Sequence, residues 1–121
     1  MRDPFARLPR DARHELVRRS QPDWGAPMLA TLTERRFSDP GWIFERKLDG
    51  ERCVAFRRGN EVRLMTRNRL AVGNHYPEIV EALARQPRTR FVVDGEVVAF
   101  GGSRTSFARL QRRMQVSDPE R

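Results

Sequence analysis

The sequence predicts an α+β domain, an antiparallel sheet with flanking helices, and three observations carry that expectation. Short runs rich in β-branched and aromatic residues, "WIFERK", "RCVAFRR" and "EVRLMT", follow one another across very short loops. Such loops join antiparallel neighbours, because a parallel crossover needs roughly a dozen residues or more. The stretch "YPEIVEALARQ" then carries Ile79, Val80 and Leu83 at helical spacing, with Pro77 at its start and acidic residues following. Finally, "SFARLQRRM" spaces Phe107, Leu110 and Met114 for packing along a second helix.

The remaining elements are read in chain order. In the first twenty residues Phe5, Leu8, Ala12, Leu16 and Val17 fall loosely on one side of a basic amphipathic helix, and Pro4 and Pro9 confine it to the second half. Such a helix reads equally as a solvated face or as an arm for DNA. "SQPDWGAPM" has loop chemistry, so residues 1–26 are expected to be an N-terminal extension and residues 27–121 the domain proper. "LATLTERRF" suits a short helical turn closed by "SDPG", and the strand runs begin after it. "RGN" turns the second run into the third, and "RFVVDGEVVAF" reads as a strand or strand pair. Asp-Gly-Glu occurs twice, at Asp49 to Glu51 and Asp94 to Glu96, and Asp-Gly is a strong hairpin signal, so two tight turns are expected. The closing "VSDPER" is polar and turn-like.

A chain of 121 residues supports one domain with a single core. No apolar run approaches the length of a membrane span, and the charged N-terminus has no apolar centre of the kind a secretory signal needs; the expected location is the cytoplasm. The lone Cys53 cannot form an internal disulfide, and His14 and His75 lie far apart, which argues against a thiol or imidazole metal cluster. The net charge of +8 suits a polyanionic partner, nucleic acid or a phosphorylated ligand, and equally suits a merely soluble arginine-rich surface.

Lys47 is the single lysine in a chain with twenty-three arginines. Arginine stays protonated, whereas a lysine amine can lose its proton and attack an electrophile. If Lys47 converged with the carboxylates of Asp49 and Glu96 and the guanidinium groups of Arg52 and Arg67, the set would suit attack on a phosphate. The same residues also read as a solvated strand-edge lysine among surface arginines, and composition does not choose between the two.

Order and spacing add a resemblance. "KLDGER", Lys47 to Arg52, resembles the Lys-x-Asp-Gly-x-Arg signature of the covalent nucleotidyltransferases, which include ATP-dependent DNA ligases, RNA ligases and capping enzymes. "TRN" at Thr66 to Asn68 looks like the family's second arginine motif, and "VVDGEVVAF" like its Asp-Gly-Glu strand. "PMLATL" upstream and "SFARLQRRM" downstream resemble ATP-dependent DNA ligases, especially the bacterial end-joining type. The resemblance implies an ATP-grasp-like adenylation domain. In it Lys47 would attack the α-phosphate of ATP and carry AMP, with Glu45 beside the adenine. Arg52 and Arg67 would contact the nucleotide or a DNA 5′-phosphate, and Glu96 would bind the ribose hydroxyls or assist Mg²⁺. Asp49 and Gly50 would shape the turn that presents the lysine. The implied partner is nicked or broken double-stranded DNA.

Arg121 precedes the places where the family has its later motifs, among them an aromatic that stacks on adenine, and the oligonucleotide-binding-fold domain. The expectation is therefore part of an adenylation domain, with a protein or further chain segment supplying the rest. A non-catalytic remnant that binds ATP or nucleic acid, and an RNA ligase or capping-type relative, are the alternatives.

Overall fold

The computed structural model describes Asp3 and residues 5–116. The polar, turn-like end expected at the C-terminus lies, for residues 117–121, outside the described residues. The centre is a three-stranded antiparallel sheet ordered β2-β1-β3, with β1 at Glu51–Arg58, β2 at Glu61–Thr66 and β3 at Arg90–Val97. β1 and β2 are joined by Gly59 and Asn60, and Gly59 adopts φ +64°, a conformation glycine reaches without a Cβ penalty. Helix α1 is Arg10–His14, α2 is Pro77–Ala84 and α3 is Phe107–Met114.

β1 is covered on both faces, which explains its uninterrupted run of buried residues from Cys53 to Arg57. Cys53 and Ala55 point into a core shared with Leu64, Val72, Tyr76, Val97 and Leu110. Ile79, Val80 and Leu83 of α2 and Met114 of α3 pack against that core, as their spacing predicts. α2 starts with proline in its first turn, and Ser106 caps α3 by accepting a hydrogen bond from the Arg109 amide at 3.4 Å.

Arg57 is 5% exposed, and the structure accounts for its burial. Its Nη1 donates to the carbonyls of Leu83, Gln86 and Arg88 at 2.9, 2.7 and 3.0 Å, and its Nε to that of Gly59 at 3.1 Å. The guanidinium thereby satisfies carbonyls around the C-terminal end of α2, where a helix favours a cation.

Four local expectations change. The run "WIFERK" forms no strand: residues 42–49 are irregular, and Ile43 is 87% exposed. A strand there has no ladder to join on β1, because β2 and β3 already occupy both of its edges. Phe37 instead gathers Trp42 and Phe44, with ring centroids 5.1 and 5.6 Å away. "LATLTERRF" makes no helical turn. Asp94-Gly95 makes no turn either: it lies inside β3, paired with Val54 and Cys53, because β1 offers an unbroken eight-residue ladder. The chain reverses later, where Phe100–Gly101 and Arg104–Thr105 form the small hairpin β4–β5 with Gly102 at φ +66°. Finally, α1 spans five residues and buries none; Phe5, Leu8, Leu16 and Val17 all stay exposed.

Candidate functional site

One end of the sheet carries four of the residues singled out in the sequence, Gly50, Arg52, Arg67 and Glu96. β1 begins there, β2 and β3 end there, and their termini open into a cleft of about 440 Å³. Gly50, Arg52, Arg67 and Glu96 line it, together with Glu51, Thr66, Asn68 and Phe107. Antiparallel register places Arg52 opposite Glu96, which explains how residues so distant in sequence share the site. Arg67 arrives from the turn that follows β2.

Gly50 sits at the join between the lysine segment and the sheet. Its amide donates to Glu96 Oε1 at 3.2 Å, and the neighbouring Asp49 amide donates to Thr105 Oγ1 at 3.1 Å. A Cβ at position 50 would lie 2.1 Å from the Val97 carbonyl oxygen, so only glycine allows this approach. Asp49-Gly50 is thus a bend into β1 rather than a hairpin between two paired strands.

Arg52 forks onto Asp94, with Nε 2.6 Å from Oδ1 and Nη2 2.5 Å from Oδ2. The hydrogen bonds from Arg52 hold the Asp94 carboxyl below its ordinary range. In turn Asp94, helped by the charges of Glu96 and Glu45, raises the guanidinium's own pKa. Beside the cleft, the buried Tyr76 hydroxyl donates to Glu51 Oε2 at 2.7 Å; burial and that carboxylate push the hydroxyl's pKa up, so it stays a donor. Burial, reinforced by Glu51 and Glu96, pushes the Cys53 thiol up to about 12, which makes it a packing residue and a poor nucleophile.

Lys47 and Glu45 are not among the cleft's lining residues; both stand exposed on the irregular segment. Only Leu48 and Asp49 separate Lys47 from Gly50, at most about 11 Å of extended chain. The structure therefore brings Arg52, Arg67 and Glu96 together and leaves the lysine at the approach to them. Among the described residues no group of three or more His, Cys, Asp or Glu side chains is arranged to hold a metal. Glu96 offers a single carboxylate, which suits Mg²⁺ when phosphates and water complete its shell.

Sequence reading missed Phe107 as a site residue. Helical spacing assigns it to packing beside Leu110, yet it is 38% exposed and forms an aromatic wall of the cleft. Its place at the first turn of α3, next to the capping Ser106, is the signal that sets it apart from the two residues that do pack.

Comparison with known proteins points to one family. Residues 27–120 match the family model described as the ATP dependent DNA ligase domain. The chain is 35% identical over 109 residues to DNA ligase 2 of Thermofilum pendens, covering 80% of this chain and 18% of that protein. It is 33% identical to DNA ligase C of Mycobacterium tuberculosis, over 77% of this chain and 25% of that one. The ligase domain of M. tuberculosis LigD superposes on 56% of this chain and 23% of its own, with a TM-score of 0.51 and 33% identity. The chain thus spans about a quarter or less of the relatives it matches. By the match over most of its length, and by the antiparallel sheet shared with a ligase domain, the chain belongs to the ATP-dependent DNA ligase domain family.

Proposed function

We propose that residues 27–121 act as part of a DNA ligase adenylation domain in which Lys47 carries AMP. The observation that carries this reading is the convergence of Arg52, Arg67, Glu96 and Phe107 on one cleft, to which the lysine segment is joined at Gly50. Guanidinium groups neutralise phosphoryl oxygens, a carboxylate accepts from ribose hydroxyls, and an aromatic face receives a base. Phe107, on the cleft wall, would offer its ring to such a base. Glu45, whose charge reaches Arg52, would lie near the adenine.

The Lys47 amine attacks the α-phosphorus of ATP in its neutral form. A phosphorus–nitrogen bond forms, the bond to pyrophosphate breaks with its electron pair on the leaving oxygen, and the amine's extra proton passes to solvent. AMP then moves to a DNA 5′-phosphate, and a 3′-hydroxyl displaces it to seal a nick or break, the chemistry of repair and recombination. The fixed guanidinium groups of Arg52 and Arg67 offset the charge that develops in such displacements. Mg²⁺, held through Glu96 and the phosphates, would supply further charge neutralisation. We place this activity in the cytoplasm; among the described residues no helix is long and apolar enough to cross a membrane.

A second reading, binding of ATP or nucleic acid without catalysis, is favoured by one observation: Lys47 and Glu45 stand outside the cleft's lining. A further segment or partner protein that seats the lysine segment would convert this state to the active one. Incubation with Mg²⁺ and α-labelled ATP separates the readings. Acid-resistant label on the protein, absent in Lys47→Ala, supports the adenylation reading; ATP binding with no label transfer supports the second. Label from GTP instead would indicate a capping-type relative, and sealing of nicks with RNA strands an RNA ligase.

A further inference from the structure

Gln21 to Trp24 lie before the residues matched by the family model, in a stretch that reads as linker, yet they are tied to the sheet. Gln21 Nε2 donates to the Arg57 carbonyl at 2.9 Å, and Arg58 donates back to the Gln21 carbonyl at 3.1 Å. Arg58 pairs with Asp23 at 2.9 Å, and Arg63 donates to the Asp23 carbonyl at 3.0 Å. Trp24 closes this strap over Phe56, its ring centroid 5.9 Å away, and Phe56 is only 2% exposed as a result of its surroundings.

The other face of the contact is a charged one. The Arg69 guanidinium sits 5.2 Å from the centre of the Trp24 ring. Arg69 is the one non-glycine residue at positive φ among the described residues, at +62°, a conformation that costs an L side chain energy and needs its surroundings to hold it. It belongs to the turn after β2. There the Arg69 amide donates to the Thr66 carbonyl at 3.0 Å, the Leu70 amide to Thr66 Oγ1 at 3.2 Å, and the Thr66 amide to the Leu70 carbonyl at 2.9 Å. The same turn carries Arg67 and Asn68 into the cleft.

We propose that Trp24 is a positioning residue: by stacking on Arg69 it fixes the Thr66 to Leu70 turn and thereby sets Arg67 at the cleft. The consequence for ATP rests on the nucleotide reading of that cleft; the clamp on the turn does not. A strap outside the ligase domain match thus becomes a determinant of the phosphate-binding wall.

The test is made on the full chain with Trp24→Leu, which keeps apolar cover on Phe56, Trp24→Phe, which keeps a ring for the cation, and Arg69→Asn, which tolerates positive φ without the charge. Hydrogen exchange of the Arg69 and Leu70 amides is expected to quicken about five-fold in Trp24→Leu and to stay within about two-fold of wild type in Trp24→Phe. Arg69→Asn should match Trp24→Leu, and combining them should add nothing. Unchanged exchange in Trp24→Leu, equal acceleration in Trp24→Phe, or additive effects would overturn the clamp. If Trp24→Leu fails to fold, Arg69→Asn decides by the same amides. Calorimetric titration with ATP and Mg²⁺ should show about five-fold weaker binding in Trp24→Leu and recovery in Trp24→Phe. Equal ATP affinity despite a loosened turn overturns the link to the cleft. If wild type binds no ATP, the nucleotide reading falls, and the exchange result still decides the clamp.

Discussion

In β1, Arg57 is buried and bonded to four carbonyls, whereas Lys47, a short way upstream, stands exposed on irregular chain. The two runs around them, "WIFERK" and "RCVAFRR", have similar content of aromatic, aliphatic and basic residues, and only the second becomes a strand. The difference is one of partners. β1 has a strand on each edge from Cys53 to Arg58, with core residues on one face and Phe56 under the Trp24 strap on the other, so its apolar side chains are buried and its backbone is held in ladders. Residues 42–47 meet neither a ladder nor the sheet's core, and the Lys47 side chain stays in solvent. The scaffold half is fixed by its own contacts; the lysine half is irregular and exposed.

That contrast can be broken at its strongest point. Removing the Arg57 side chain leaves carbonyls at the end of α2 buried without donors. Arg57→Ala should cost about 3 kcal/mol, read from the midpoint of urea unfolding, while Lys47→Ala should stay within about 0.5 kcal/mol of wild type. Comparable stability for both would mean that the buried guanidinium does not distinguish the two halves. At the junction, Gly50→Ala forces a methyl group against the Val97 carbonyl and should cost about 1–3 kcal/mol. It should also shift the lysine segment, which amide exchange at Asp49 would report through its bond to Thr105. Wild-type behaviour would show that the segment is not locked to the sheet there.

The smallest effect concerns Arg52 and Asp94. The folded Asp94 carboxyl has a lowered pKa, so its contribution to stability is complete above its unfolded value and is lost as pH falls through the folded one, in the acid range below about 4. Asp94 is 46% exposed, and solvent screening keeps the pair below about 1 kcal/mol. Asp94→Asn should therefore lower stability at neutral pH by less than about 1 kcal/mol, leave the acid end nearly unchanged, and so flatten the acid limb of a stability–pH curve slightly. An undiminished acid limb in the variant would assign that limb to other carboxylates.

How much was legible depended on the range of the interaction. The pairing of β1 with β2 follows from two strand-like runs around Gly59-Asn60, and α2 and α3 follow from spacing and, for α2, a first-turn proline. The ordered motifs from "KLDGER" to "SFARLQRRM" marked the ligase family, and Arg52, Arg67 and Glu96 do meet. Asp94-Gly95 misled because turn chemistry is a local preference of a few tenths to about one kcal/mol, and an eight-residue ladder with β1 outweighs it.

By itself, then, the sequence determined the antiparallel α+β class, the helices and strands whose periodicity is complete, and the residue types able to bind a phosphate. Only tertiary structure decided which arginine is buried, that Phe107 faces the cleft rather than the core, that residues 42–47 remain irregular, and that Trp24 covers the sheet. The physical reason is common to all four. Periodicity and turn chemistry register neighbours within a few positions, whereas burial and ladder pairing depend on which distant segment claims each edge and face of β1.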